Sequence, residues 1–215
     1  NKIRRGTLIV GEAIVITSGK GGVGKTTTTA NVGTSLALLG KKVCLIDTDI
    51  GLRNLDVAMG LENRIIYDLV DVIEGRCKIN QALVKDKRFD GLLYLLPAAQ
   101  TSDKTAVKPK QMKALVNELK QDYDYVIIDC PAGIEQGYKN AVAGADKAIV
   151  VTTPEKTAVR DADRIIGLLE KEEAVEPPKL VINRIRSHMV HNGDMLDIDE
   201  ITSHLSIDLI GIVVD

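Results

Sequence analysis

Few cysteines and no long apolar run are present, and both shortages limit what this protein can be. The three cysteines, Cys44, Cys77 and Cys130, form no C-x-x-C pair, and their odd number argues against a disulfide framework or a zinc site. Cys44 and Cys130 lie in or beside apolar strand patterns, which predicts small core residues in a reduced, cytoplasmic protein. No apolar stretch approaches the roughly 18 residues that a membrane-spanning helix needs.

The sequence also lacks a strong charge of either sign. Its formal net charge is −2 over 215 residues, so it has no global attraction to nucleic acid or to acidic lipid. Hydrophobic residues make up 45% and charged residues 27%, which is ordinary for a globular protein. The length suits one α/β domain with a full core.

A glycine-rich segment is the most informative motif. Its residues fit G-x-x-x-x-G-K-[ST], the loop that wraps nucleotide phosphates: Gly19, Lys20, Gly21, Gly22, Val23, Gly24, Lys25 and Thr26, followed by Thr27. Glycines let backbone N–H groups approach an anion closely. The apolar run 13–16 before the loop predicts a strand, and a helical pattern runs from Thr26 to about Leu39. The phosphates are therefore expected at a helix N-terminus, with Lys25 reaching the β- and γ-phosphates.

Apolar runs alternate with amphipathic helical patterns along the rest of the chain. The runs are 43–46, 92–96, 125–128, 148–151, 180–182 and 209–214, and the clearest helical patterns are 111–120 and 158–170. Runs of four to six apolar residues are typical of strands buried on both faces. The order predicts a three-layer α/β fold, with a mainly parallel sheet flanked by helices and ligands at the carboxyl ends of the strands. The polar stretch 100–109 predicts a mobile loop.

Three aspartates follow two of these apolar runs. Asp47 and Asp49 end the run after the first helix, and Asp129 ends the run 125–128, so all three are expected at the sheet edge that carries the phosphate loop. Mg²⁺ prefers oxygen ligands and takes one or two protein groups beside phosphate. We predict that Thr26, Asp47 and Asp129 serve the metal and that Asp49 orients or deprotonates the attacking water. The alternative is that strand-end aspartates only cap turns.

The segment 19–26 has a second lysine, Lys20, near its start. With this lysine the segment resembles the deviant Walker A motif of the ParA/MinD class of P-loop ATPases. In that class the early lysine crosses a dimer interface to the partner's nucleotide. The resemblance therefore implies a slow ATPase that is active as an ATP-bound homodimer, needs Mg²⁺ and produces ADP. Lys20, Lys25 and Asp49 would form the catalytic set. The resemblance also implies a switch II segment at 129–133, and an adenine contact by Asn183, with Arg184 beside it.

Several phrases are similar to the MinD branch of this class, in its Gram-positive form. They are 49–56 (DIGLRNLD), 60–64 (GLENR), 129–135 (DCPAGIE) and 159–164 (VRDADR). The resemblance implies recruitment of MinC to block FtsZ rings away from midcell, and regulation by MinE or by a polar adaptor. It also implies peripheral attachment to the inner face of the anionic cell membrane through a C-terminal amphipathic helix. Residues 158–170 would present a protein-contact face.

Both ends of the chain carry a prediction. Residues 1–9 have no secretory signal, and we expect a translated leader or a tag before a single ATPase domain at 10–215. Codons AGG-AGG for Arg4 and Arg5 would make a ribosome-binding sequence ahead of a GTG start at Val10; a short N-terminal arm is the alternative. The chain ends on an apolar strand pattern, so we expect the part with the membrane-targeting helix to be missing.

Other functions remain open at this point. A ParA-type DNA-partition ATPase shares the loop and Lys20 but needs a basic surface, which a net charge of −2 does not favour. A flagellar-number regulator of the MinD type would look similar over this range. A nucleotide-gated scaffold without hydrolysis is disfavoured by the intact lysines and aspartates, and iron–sulfur carriers need bridging cysteines that the sequence lacks.

Overall fold

The computed structural model describes residues 10–101 and 106–215 in full, and only the backbone of residues 3–4 and 7–8. The strands are β1 (Ile3–Arg4), β2 (Thr7–Leu8), β3 (Glu12–Thr17), β4 (Val43–Asp47), β5 (Val84–Lys85), β6 (Leu93–Leu96), β7 (Tyr125–Asp129), β8 (Lys147–Thr152), β9 (Lys179–Ile185) and β10 (Asp208–Val214). The helices are α1 (Lys25–Leu38), α2 (Leu55–Met59), α3 (Leu69–Ile73), α4 (Ile79–Ala82), α5 (Pro109–Asp122), α6 (Gln136–Ala143), α7 (Lys156–Leu169), α8 (Ser187–His191) and α9 (Ile198–Leu205). Short 3-10 turns occupy Glu62–Arg64 and Lys87–Phe89.

Eight strands form one sheet in the order β10-β9-β8-β3-β7-β4-β6-β5. Every neighbouring pair is parallel except β5 with β6. The mainly parallel three-layer fold predicted from the apolar runs is therefore confirmed. β3 lies between β7 and β8. The strands β4 to β7 lie on one side of β3 and the strands β8 to β10 on the other, so the strand order changes direction at β3. Such a switch point is where ligands bind in open α/β sheets.

The core lies on both faces of the sheet, as the apolar runs require. All five residues of β4 are buried, and α5 buries Met112, Leu115, Val116 and Leu119 at the i, i+3, i+4, i+7 spacing of one helical face. Cys44 and Cys130 are buried as predicted. α5 begins two residues before its apolar pattern because Pro109, whose φ suits a first helical turn, is its first residue.

Several sequence expectations differ from the structure or lie outside it. β9 continues three residues past the apolar run 180–182, so Asn183 and Arg184 belong to the strand and do not follow it. The short helices α3 and α9 were missed, although their capping boxes, Asp68 with Asp71 and Asp197 with Glu200, are visible in the sequence. Residues 102–105 of the predicted mobile loop lie outside the described residues.

The predicted leader at 1–9 falls largely on residues that are not described. β1 and β2 pair as a small antiparallel ladder, with Ile3 opposite Leu8. Over the described ranges no helix combines the length and the hydropathy needed to cross a bilayer.

Candidate nucleotide and magnesium site

The glycine-rich loop joins β3 to α1 at the carboxyl end of the switch-point strand. Gly22 has φ 79° and Gly24 has φ 102°, in the left-handed region that favours glycine. The Gly24 carbonyl accepts from the Thr28 peptide N–H at 2.9 Å and from its hydroxyl at 2.8 Å. The loop therefore turns directly into the first turn of α1, which is the arrangement that binds phosphate at a helix N-terminus.

The two lysines of the loop have opposite environments. Lys25, the first residue of α1, is 8% exposed. Lys20 is exposed, and its Nζ lies 3.5 Å from the Thr157 hydroxyl of α7. Gly19 packs so tightly on α7 that an added Cβ would lie 2.0 Å from the Asp161 carbonyl oxygen. One lysine thus points into the protein beside the loop, while the other lies on the surface along α7.

Asn183 and Arg184 contact the loop itself. The Asn183 side-chain amide donates to the Val23 carbonyl at 2.8 Å, and Arg184 Nη1 donates to the Gly22 carbonyl at 2.9 Å. Asn183 is buried, whereas Arg184 is exposed. The adenine contact of Asn183 stays a prediction, and the contact seen in the structure is with the phosphate loop.

Asp129 ends β7 directly beside the loop and is 3% exposed. The Thr29 hydroxyl donates to Asp129 Oδ1 at 3.3 Å, and the Thr26 side chain makes a further hydrogen bond to this carboxylate. Burial raises the pKa of Asp129 to about 7, and the nearby Asp47 adds to the rise, while the Thr26 hydrogen bond and Lys25 oppose it. Because burial disfavours its charged form, a cation bound beside Asp129 would stabilise the ionised carboxylate.

Asp47 is the β4 partner of Asp129 across the sheet register. Its Oδ1 accepts from the Asp49 peptide N–H at 2.9 Å, and its Oδ2 accepts from those of Asn54 and Leu55 at 3.2 and 3.1 Å. Burial raises the pKa of Asp47 to about 6, against these hydrogen bonds from the backbone. Asp47 therefore shapes the loop that follows β4, besides lying next to the predicted metal.

Asp49 lies on the loop after β4 and is partly buried. Its neighbour Thr48 donates twice to the Asp129 carbonyl, from the hydroxyl at 2.6 Å and from the peptide N–H at 3.2 Å. The segment after β4 and the segment after β7 are thus linked at Asp129. Gly133 of the predicted switch II has φ 93° and no atom within 4 Å of an added Cβ, which leaves space around this turn.

The oxygen groups at this edge suit magnesium. Thr26 offers a hydroxyl, and Asp129 and Asp47 offer two buried carboxylates whose pKa values are raised by burial. Among the described residues, no group of three or more His, Cys, Asp or Glu side chains is arranged to hold a metal. Mg²⁺ usually takes one or two protein groups beside phosphate, and the predicted ligands Thr26, Asp47 and Asp129 form a small set of this kind.

Three contact residues escaped the sequence reasoning. Thr29 donates to Asp129, Thr48 links the two strand-end segments, and Thr157 contacts Lys20. The position of Thr29, three residues after Thr26 on one helix, could have indicated the first of these. Contacts of the other two cross from one element to another and leave no local signal.

The two raised pKa values predict how stability depends on pH when metal and nucleotide are absent. Each carboxyl binds its proton more tightly in the folded state, so the contribution of this pair to stability falls as the pH rises from about 4 to about 7. Asp129→Asn should remove part of this slope, up to about 1.4 kcal/mol per pH unit in that window. Urea unfolding between pH 5 and pH 7 in EDTA measures it. The matched control is Asp163→Asn on the exposed face of α7, and an unchanged slope in Asp129→Asn would contradict the assignment.

Comparison with known proteins places the chain among P-loop proteins. A family model described as an AAA domain matches residues 11–182. The septum site-determining protein MinD of Bacillus subtilis is 81% identical over 206 residues, which cover 96% of this chain and 77% of that protein. The MinD of Synechocystis is 58% identical over 202 residues, covering 94% of this chain and 75% of its own.

Solved structures agree with these relatives. A MinC:MinD cell division complex from Aquifex aeolicus matches with a TM-score of 0.86 and 53% identity, covering 94% of this chain and 81% of that one. MinD from Pyrococcus horikoshii, solved with Mg-ADP, matches with a TM-score of 0.83 and 28% identity, covering 94% and 81%. A plasmid partition protein from Borrelia burgdorferi has a TM-score of 0.77 at 24% identity, covering 95% and 90%, and that likeness is one of fold alone.

Proposed function

The chain belongs to the MinD family of septum site-determining proteins, and we propose that it hydrolyses ATP slowly, as a homodimer closed around the nucleotide. As a MinD, it is a cell-division ATPase of the Min site-selection system. The proposal concerns how the ATPase is controlled: one copy holds the phosphates, and the second copy completes the site.

The observation that carries this proposal is the separation of the two loop lysines. Lys25 is buried at the start of α1, where it can neutralise phosphates bound to its own subunit. Lys20 is exposed, with its ammonium group at α7 on the surface. An exposed lysine beside a phosphate loop can reach a second molecule. In trans it would supply the charge that an arginine finger supplies elsewhere.

The residues of one subunit divide the remaining chemistry. The loop N–H groups and Lys25 bind the phosphates of ATP, and Thr26 with Asp129 and Asp47 would hold Mg²⁺. When bound, Mg²⁺ neutralises the charge that develops on the phosphate oxygens. Asp49 would orient or deprotonate the attacking water, and after hydrolysis ADP would stay in the same loop. The Mg-ADP bound to the Pyrococcus horikoshii relative supports this assignment of cofactors.

The dimer would present a surface for a division inhibitor. The Aquifex aeolicus relative was solved as a MinC:MinD complex, and we extend that partner to this chain. Arg160, Asp163 and Arg164 on α7 are exposed and suit a polar protein contact close to Lys20. Control by MinE, or by a polar adaptor in its place, belongs to the same proposal.

Membrane attachment would follow from dimerisation. We propose peripheral binding at the inner face of the anionic cell membrane through a C-terminal amphipathic helix, as the family resemblance implies. Two weak anchors joined in one dimer bind at a high effective concentration. ATP would thereby control residence on the membrane without changing either anchor.

The test is the dependence of ATP hydrolysis on protein concentration. A dimer-dependent ATPase should show a specific activity that rises with concentration until dimers saturate, and sedimentation should show dimers with a non-hydrolysable ATP analogue and Mg²⁺ but monomers with ADP. MinC should co-sediment with the analogue-bound form. Lys156→Ala, which removes an exposed lysine on α7 near Lys20, should behave like the parent in both measurements. A specific activity independent of concentration, with monomers throughout, would contradict the proposal.

A further inference from the structure

The end of β9 lies behind the phosphate loop and contacts its carbonyl oxygens. We infer that Arg184 is a positioning residue for the phosphates: with Asn183, it holds two loop carbonyls outward so that the loop N–H groups face the nucleotide. The inference rests on the proposed binding of nucleotide phosphates by this loop. It concerns the side of the loop on which the Gly22 and Val23 carbonyls contact β9.

The planarity of the peptide unit ties the direction of each loop carbonyl to that of the next N–H group. In a trans peptide the carbonyl of one residue and the N–H of the next point in opposite directions, and no cis peptide occurs among the described residues. Arg184 Nη1 holds the Gly22 carbonyl at 2.9 Å, so the Val23 N–H points away from β9. Asn183 Nδ2 holds the Val23 carbonyl at 2.8 Å, so the Gly24 N–H also points away from β9.

The third carbonyl is held by α1. Gly24 O accepts from the Thr28 peptide N–H and hydroxyl at 2.9 and 2.8 Å, which sets the direction of the Lys25 N–H. Three consecutive carbonyls are therefore engaged, by Arg184, Asn183 and Thr28. Successive N–H groups with their carbonyls engaged elsewhere form a concave donor site for an anion.

The backbone of β9 is distorted where it meets the loop. Arg184 has φ 60°, a left-handed conformation that a non-glycine residue rarely adopts inside a strand. The strand nevertheless continues to Ile185, which pairs with Val214 of β10. Such strain persists where surrounding contacts hold it, and it is concentrated at functional sites. Here the distortion brings two successive side chains, Asn183 and Arg184, to two successive loop carbonyls.

The fit between β9 and the loop leaves no spare room. A Cβ added to Gly24 would lie 2.2 Å from Asn183 Nδ2, and Gly24 itself has φ 102°. Asn183 is 8% exposed, so its replacement would disturb the packing around the loop. Arg184 is exposed and can be replaced without leaving a buried cavity, so it is the residue on which to test the inference.

The experiment compares Arg184→Ala, Arg184→Lys and the control Arg186→Ala, which removes an exposed arginine two residues away that pairs with Asp215. Calorimetry would measure ADP with Mg²⁺, competition would measure AMP, and ³¹P NMR would follow the β-phosphate of bound ADP. Arg184→Ala should weaken ADP binding roughly 5–30-fold, since it removes a hydrogen bond from a charged donor. AMP affinity and melting temperature should change little, the β-phosphate resonance should shift, and Arg184→Lys should recover part of the loss.

The binding measurements separate a failure of the inference about Arg184 from a failure of the proposed function. If the parent binds ADP and Arg184→Ala binds it equally well, the inference is wrong and the proposed function stands. An equal loss of ADP and AMP affinity with a lower melting temperature would show a general structural role and would also overturn the inference. If the parent protein binds neither ADP nor ATP, the proposed function itself fails.

Discussion

Lys20→Ala should lower ATP hydrolysis about 10³–10⁵-fold, the range measured when a cationic finger is removed from a phosphoryl-transfer site. The same variant should sediment as a monomer with a non-hydrolysable ATP analogue, because the crossing lysine would also join the two subunits. Lys20 is exposed, and its Nζ makes a long hydrogen bond of 3.5 Å to the Thr157 hydroxyl, so the substitution removes little from the subunit itself. The affinity of the monomer for ADP should therefore stay close to that of the parent.

Mixing two inactive variants shows whether the lysine acts in trans. In a mixed dimer of Lys20→Ala with Asp49→Ala, the site that keeps Asp49 receives Lys20 from the other subunit. Activity should recover to at most about a quarter of the parent's. Even if the two variants paired at random, only half of the dimers would be mixed, and each of these contains one complete site out of two. If Lys20 acted within its own subunit, both sites of the mixed dimer would be defective, and the mixture would stay inactive.

Asp49→Ala should separate binding from hydrolysis. We expect ATP affinity within a few-fold of the parent and a dimer that persists with ATP, with turnover lowered about 10²–10⁴-fold, the contribution typical of a positioned general base. The reason is that Asp49 lies on the loop after β4, while the phosphate loop and Lys25 belong to other elements. Single-turnover hydrolysis and equilibrium binding of ATP provide the two measurements.

Asp47→Asn is the matched comparison, because Asp47 lies two residues away but has a different task. Its carboxylate accepts from the peptide N–H groups of Asp49, Asn54 and Leu55. An asparagine keeps only one acceptor oxygen, so this variant should lose stability as well as activity.

Hydrolysis by Asp49→Ala at the parental rate would contradict the assignment of Asp49. A loss of ATP binding in Asp49→Ala would show that Asp49 serves the nucleotide instead.

The placement of much of the candidate site could be predicted because its signals are local. The glycine spacing of 19–26, the apolar strand before it and the helix after it lie within about 30 residues, so the backbone conformation there follows from neighbouring residues. Asp47 and Asp129 end buried apolar runs, and parallel strands bring their carboxyl ends to one edge. Strand ends were less predictable: nothing local indicated that β9 would continue through Asn183 and Arg184.

Local sequence patterns specify the glycine-rich loop and the alternation of strands and helices, and they supply the candidate lysines, threonine and aspartates, since propensity and hydrophobic period act over a few residues. The strand order, the register that puts Asp47 opposite Asp129, and the burial that raises both pKa values follow from the packing of the whole chain. It also decided the contact of Asn183 with Val23, 160 residues away. Contacts of that kind depend on which strands pair across the whole sheet, and a short stretch of sequence does not carry this information.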